Sequence, residues 1–475
     1  MEFRRIFPII KTTSTLFIGS FIAAFALTTF TARANVYATN IKLNGSAANV
    51  VFEDEADIQI SYTLNEAATA GVVVEIFSGA TVVRTFAIAS GNVGTLRGSN
   101  AVVWDGKNNF DDYVAAGIYS VRITAAATGY GDWTQISEDA APGNYVFEPR
   151  GIAVNQNTNS VFYGRIFISN AHANPGGIAV LGDQVGILKA NADGSFADEG
   201  GFSAGGYPWA GDYFSPWKME ISANDKLYVS DWTGNGIVMA FDQIISSNYS
   251  MVLRNDNNPN GVANLSGPFI TGGGTNTEVF MADINYTAPA TGTGITRWNI
   301  SIDGTCATND TGTQMVKAVF GSDLDIYPYD VAVDKTGKIY TIQYRSNAGD
   351  PAYRVMRFPA YSGTPAAIAD WKIGNADNSL RQASGIAVDP TATYVAVALQ
   401  GVFGDGGIAL FDADTGDLIA RNIAQLEDHR DVAWDNVGNL YAVDNADSFW
   451  RAYSPPGTNQ STTVALPTIS VGESL

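Results

Sequence analysis

The stretch "YPYDVAVDKTGKIYTIQ", residues 327–343, alternates apolar and polar residues on either side of Thr336-Gly337. That is the pattern of a strand, a two-residue turn and a returning strand. A lone hairpin does not stay folded in water, so Val331, Val333, Ile339 and Ile342 need neighbours to bury them. The chain supplies those neighbours by repetition. Hairpin cores of the same form are "EPRGIAVN…RIFISN", "SPWKMEISANDKLYVSD", "GPFI…EVFMAD", "ASGIAVDPTATYVAVALQ" and "HRDVAWDNVGNLYAVD". Counted from Pro149, Pro216, Pro268, Pro328, Ala383 and His429, the six cores lie roughly 45–70 residues apart, enough for four strands each. Most are followed by a third strand such as "GGIAVL", "NGIVMAFD", "YRVMRFPAY" or "GGIALFD". Strands that cannot bury both faces alone must stack around an axis, so residues 148–455 are expected to form a six-bladed β-propeller.

The repeat resembles the NHL-type family, whose unit reads "P-x-G-(I/V)-A-V-D…G-x-(L/I)-Y-V-x-D". The resemblance spans the whole repeated region and implies the propeller fold; propellers host enzymes and inert scaffolds alike, so it implies no reaction.

Residues 39–128 read differently. The runs "ADIQISYTL", "GVVVEIFSG", "TVVRTFAI", "NAVVWDGK" and "GIYSVRITA" alternate at short intervals with turns at Ser78-Gly79 and Asp105-Gly106, as in a small β-sandwich. Tyr62-Thr63-Leu64, Val82 to Thr85, Trp104 to Lys107 and Gly117 through Ala125 resemble the Ig-like domain of the flagellar hook-capping (FlgD-type) family. That resemblance implies a spacer or assembly module without catalytic residues, with Trp104 as a packed aromatic. The fold class expected for the chain is therefore all-β: a small Ig-like β-sandwich followed by a six-bladed β-propeller. Residues 129–147 form the linker. The segment Trp133–Phe147 and the tail 456–475 compete to supply the outermost strand of the last blade.

Residues 1–34 have a basic start (Arg4, Arg5, Lys11), an apolar stretch and small residues at Ala32 and Ala34, the marks of a secretory signal. The expectation is a protein secreted or displayed at the cell surface after bacterial-type export, with no membrane span once the signal is cut. Loss of Arg4, Arg5, Lys11 and Arg33 together with Glu2 takes the formal charge from −20 to −23. Such a surface repels phosphate backbones, which argues against nucleic acid as a partner. Cys306 is the single cysteine, so no intrachain disulfide forms, and a lone thiol reads as a small buried hydrophobe.

The repeat also places residues on a face. The start of each inner strand and the end of the strand returning beside it share one rim. The positions after the motif's first residue, here Arg150, Trp217, Phe269, Tyr329, Ser384 and Arg430, are expected there with Lys218. His172 and His429 fall on the same rim, in the first and last blades, which a closed ring makes neighbours. The gluconolactonase-like metal site is not expected, since these positions hold no carboxylate, and a three-His zinc site fails on count. No cofactor or metal is expected. Two readings remain. Trp217, Phe269 and Tyr329 could stack on a sugar while Arg150, Lys218 and Arg430 orient its acidic groups, giving a binding or surface-assembly protein for a polysaccharide or cell-surface ligand. Alternatively, His429 or His172 as base and Tyr329 as acid, with an arginine on a uronate, would make a polysaccharide lyase. Against both stands the plain possibility that these groups only satisfy loops and hold blades together.

Overall fold

The computed structural model describes residues 35–471 apart from 48–49, 53–56, 177–179, 233–236, 255–256, 258–263, 285–293, 301–303, 320, 326, 345–352, 375–379, 381, 402–405, 422, 425–426, 458–459 and 465–467. Residues 1–34, on which the expectation of a secretory signal falls, lie outside the described residues. Nearly all regular structure is strand. Among the described residues no helix is long and apolar enough to cross a membrane.

Among the described residues six four-stranded antiparallel sheets are present, with inner strands Pro149–Val154, Met219–Ile221, Asn264–Thr271, Pro328–Val333, Ala383–Val388 and His429–Trp434. Each inner strand touches the next, and Pro149–Val154 touches both Met219–Ile221 and His429–Trp434, so the sheets close a ring. This is a β-propeller. Inner strands Pro149–Val154 and Pro328–Val333 are buried along their whole length because each packs between its neighbours in the ring. The opening hairpin is present, with a connection longer than two residues. Strands Pro328–Val333 and Ile339–Gln343 are joined through Asp334, whose carboxylate accepts the N–H of Thr336 and of Lys338 (2.7 and 3.1 Å), while Gly337 takes φ 83°. Asp389 and Asp435 cap their hairpins in the same way.

The fourth strand of the sixth sheet is Thr134–Gln135, which pairs with Phe449–Ser454. The linker thus supplies the outermost strand, and the tail does not. Instead Gln460–Val464 and Thr468–Val471 pair antiparallel with Gly117–Ala127 in the N-terminal unit. The tail's β-branched run finds an unfilled edge there, whereas the sixth sheet's edge is already taken.

The N-terminal unit has two facing sheets. One consists of Ala38–Leu43, Ile58–Leu64 and Gly98–Trp104; the other contains Thr81–Ile88, Gly71–Ser78, Gly117–Ala127 and the two tail strands, with Val50–Phe52 beside Thr468–Val471. Alternation sends Val72, Val74 and Ile76 inward against Val121, Ile123 and Ala125. Trp104 is fully buried, and its indole N–H donates to the Lys107 carbonyl (2.8 Å). The same core takes in Tyr163, Ala192 and Val437 from propeller loops, so it runs across the junction. There Tyr37 Oη and Tyr441 Oη lie 3.0 Å apart, and Asn439 Nδ2 donates to the Asn35 carbonyl (2.8 Å).

Candidate functional site

A register shift at the start of the inner strand recurs in five sheets: between the partners of Pro149 and Ile152, Leu265 and Pro268, Pro328 and Asp330, Ala383 and Gly385, and His429 and Asp431. An extra residue there re-aims consecutive side chains. The consequence is a division of labour between the two positions that sequence reasoning had put on one rim.

The pairing also corrects the register of the third sheet. Leu265 pairs with Asp283 as Pro149 pairs with Asn170, so the rim position is Ser266 rather than Phe269. Phe269 pairs with Phe280 farther along the strand and lines the channel. The signal was there: "L-S-G-P" in this sheet matches "A-S-G-I" in the fifth, and the proline that resembled the motif's first residue stands three places late. An inner strand has a free edge, which tolerates that proline.

Lys218 is likewise not on the rim. Its ammonium lies inside the channel, 2.6 Å from Asp330 and 2.7 Å from Asp431, and all three side chains are almost fully buried. Burial works against the ammonium, but the two carboxylates outweigh it and hold its pKa above the ordinary value. Asp431 is pushed up to about 7, by burial first, with Lys218 opposing and Asp330 adding to the rise. Asp330 and Asp431 also accept the N–H of Ile386 and Ile152 on the following sheets (3.1 Å each). These three residues come from the second, fourth and sixth sheets. The matching positions of the first, third and fifth are Gly151, Gly267 and Gly385, where an added Cβ would lie 2.7 Å from Lys218 Cα, 2.2 Å from Asp330 Oδ1 and 2.6 Å from Asp431 Oδ1. Glycine alternates with charge because the channel has room for three side chains at that level.

On the rim itself an aromatic belt runs part-way round the mouth. His172 stacks on Tyr213 (4.1 Å between ring centres), Arg150 lies over Trp217, and Phe214 and Trp217 flank Trp232, which meets Tyr329 edge-on. Tyr329 in turn stacks on Tyr344 (4.7 Å). The belt's outer faces are Tyr213 and Phe214, 44% and 47% exposed, whereas Trp217 and Tyr329 are buried beneath their neighbours. The expected platforms are therefore supports, and the exposed pair comes from the loop before the second sheet. Sequence reasoning missed that pair, although "DYFSPW" sets two aromatics just before the motif.

The cations differ. All three nitrogens of Arg150 are engaged: Nε donates to the Tyr213 carbonyl (2.9 Å), Nη1 to Asn445 Oδ1 (2.8 Å) and Nη2 to Glu148 (2.9 Å). Burial, then Arg430, lower its pKa. Arg430 pairs with Asp428 and keeps a buried Nε without a partner among the described residues. His172 Nδ1, Ser215 Oγ, Trp232 Nε1 and Gln382 Oε1 are in the same condition. Polar atoms left so are uncommon in folded proteins.

The two histidines do not form a joint site. His172 keeps to Tyr213 and Phe147. His429 is fully buried, its Nδ1 sits 3.2 Å from the Glu427 carbonyl, and burial depresses its pKa, with Asp444 opposing. A base must reach the proton it takes, and neither His429 nor the buried Tyr329 is placed to do so.

No protein-family model matches the chain, and no curated protein matches it, so neither family resemblance gains support from those comparisons. Similar solved structures include a Trichoderma reesei carbohydrate-active enzyme of family AA12 (11% identity, 69% of this chain and 96% of that one, TM-score 0.38). The WD40 β-propeller domain of Doa1 follows at 10% identity, 70% and 89% coverage and TM-score 0.39. A glucose dehydrogenase matches at 13% identity, 69% and 99% coverage and TM-score 0.36. Likenesses at this level carry no inference about ligand or reaction.

Proposed function

We propose that the chain is an exported binding protein: a six-bladed NHL-like propeller, held by a FlgD-type Ig-like sandwich, that takes an acidic carbohydrate on its aromatic rim. The observation that carries this reading is the belt from His172 to Tyr344, which presents Tyr213 and Phe214 to solvent. Sugar rings stack on such faces, and Arg430, its side chain 20% exposed against 8% for Arg150, is the rim arginine that a ligand reaches more readily. Binding without turnover fits best, because His429 and Tyr329 are sealed, while the half-buried His172 has its ring face occupied by Tyr213. The sandwich, made from both chain ends and joined through a shared core, holds the propeller rigidly rather than on a flexible tether.

Affinity electrophoresis in polygalacturonate tests the reading, with a neutral glucan alongside and absorbance monitored for unsaturated product. Retention in the acidic polymer alone, without product, and weakened in Phe214→Ala and Arg430→Ala, is the expected result. Product formation would replace binding by lyase chemistry, and no retention would remove the acidic carbohydrate.

A further inference from the structure

At the opposite mouth, on the side of the hairpin turns, the channel opens into a cavity of about 440 Å³. Ile152, Val154, Ile221, Phe269, Val333 and Val388 are among its walls, and Lys218, Asp330 and Asp431 form its floor. The charges lining it are mostly committed. Lys218 serves the two floor carboxylates, and Asp334 and Asp389 serve their own turns. Lys335 stands exposed on a turn. Glu220 is the exception. It lines the cavity, accepts one hydrogen bond, from the Ile221 N–H (3.2 Å), and has no ion pair among the described residues.

Glu220 is half-buried and open to the cavity, and the Ile221 N–H occupies only one of its oxygens. The groups around it decide what ligand it would take. Asp330, Asp431, Asp334 and Asp389 outnumber Lys218 and Lys335 around the cavity, so an anion would be repelled. A divalent metal would meet the Lys218 ammonium, already seated between the floor carboxylates, and among the described residues no three metal-binding side chains gather. A chain of net charge −20 also draws cations toward it.

We propose that this cavity is a second binding site, for a small organic cation: an ammonium group set against Glu220, carried on an apolar or aromatic body that packs on Ile221, Phe269 and Val333. The site is independent of the rim, from which the Lys218 triad separates it. Burial first, and then Asp431 and Asp330, raise the Glu220 pKa to about 8, with the Ile221 N–H opposing. An arriving ammonium favours the ionised carboxylate and sends to solvent the proton that Glu220 carries in its neutral form.

Isothermal titration of the full chain with phenethylammonium, with 2-phenylethanol and phenylacetate as matched neutral and anionic probes, tests this. Saturable one-to-one binding of the ammonium alone is expected, with net proton release at neutral pH seen as a dependence of the heat on buffer ionisation enthalpy. Glu220→Gln should weaken it at least about tenfold through loss of a charge-assisted hydrogen bond. The comparison of probes on the unaltered chain needs no variant to fold. Equal binding of the alcohol or the acid, no ammonium binding, or unchanged affinity in Glu220→Gln would each overturn the proposal.

Discussion

Lys218 of the second sheet and Asp431 of the sixth meet at 2.7 Å across the channel, and Asp330 of the fourth reaches the same ammonium at 2.6 Å. One buried cation thus ties three sheets that are not neighbours in the ring. Lys218→Met leaves two buried carboxylates facing each other and should cost about 3–5 kcal/mol in urea unfolding at neutral pH. Adding Asp330→Asn and Asp431→Asn should recover much of that loss, since the uncompensated charges are then gone. A triple variant as unstable as the single one would mean that packing, not charge, governs the site.

The alternating glycines give a second expectation. An alanine Cβ at Gly385 would lie 2.7 Å from Asp431 Cα, a backbone atom that has little freedom to move, whereas at Gly131 it would meet nothing within 4 Å. Gly385→Ala should therefore destabilise by about 1–3 kcal/mol, and Gly131→Ala should leave the melting temperature nearly unchanged.

The two rim arginines should separate in their effects. Arg150 joins the first sheet to Asn445, in the turn between Leu440–Asp444 and Phe449–Ser454 of the sixth, so Arg150→Ala should cost about 1.5–3 kcal/mol of stability. Arg430, partly exposed and paired with Asp428 two residues away, should lose glycan retention with little change in melting. Equal melting losses would return both to a purely structural role.

Stability should fall as pH rises from about 5 to 8. Glu220, Asp431, Glu66 and Asp435 are held at about 8, 7, 7 and 6, in each case by burial first. All are raised above their unfolded values, so the folded state keeps protons that the unfolded state has lost across this window. The stabilisation is present at the acid end and is lost as each folded pKa is passed, a fall partly offset by His429, whose pKa burial depresses, and measurable by urea unfolding at several pH values. Glu220→Gln should flatten the upper part of the curve. A profile that rises toward pH 8 would contradict these assignments.

Truncation distinguishes the two chain ends. A chain ending at Gly457 lacks the strands on Gly117–Ala127 and with them Val464, Ile469 and Val471 of the core, so the sandwich should become protease-sensitive. A chain starting at Asp139 lacks Thr134–Gln135 and the shared core, so its propeller should unfold at lower temperature than the full chain.

Local pattern was enough for much of this architecture. Strand alternation at Pro328–Val333 and Ile339–Gln343, and the spacing of the cores, are properties of neighbouring residues, and they lead to sheets around an axis. They also place Arg150 and Tyr329 at the starts of inner strands. What they leave open is decided by contacts between residues far apart in sequence. Thr134–Gln135, rather than the tail, closes the sixth sheet because two chemically similar segments competed for one edge, and only the closed fold determines which reaches it. Ser266 replaces Phe269 on the rim because bulge register is set by the partner strand. Lys218 turns from the rim to the channel because Asp330 and Asp431, distant in sequence, converge on its ammonium while Gly151, Gly267 and Gly385 leave it space. Alternation along a strand is written in the chain; which side chains meet across a closed ring depends on closing it.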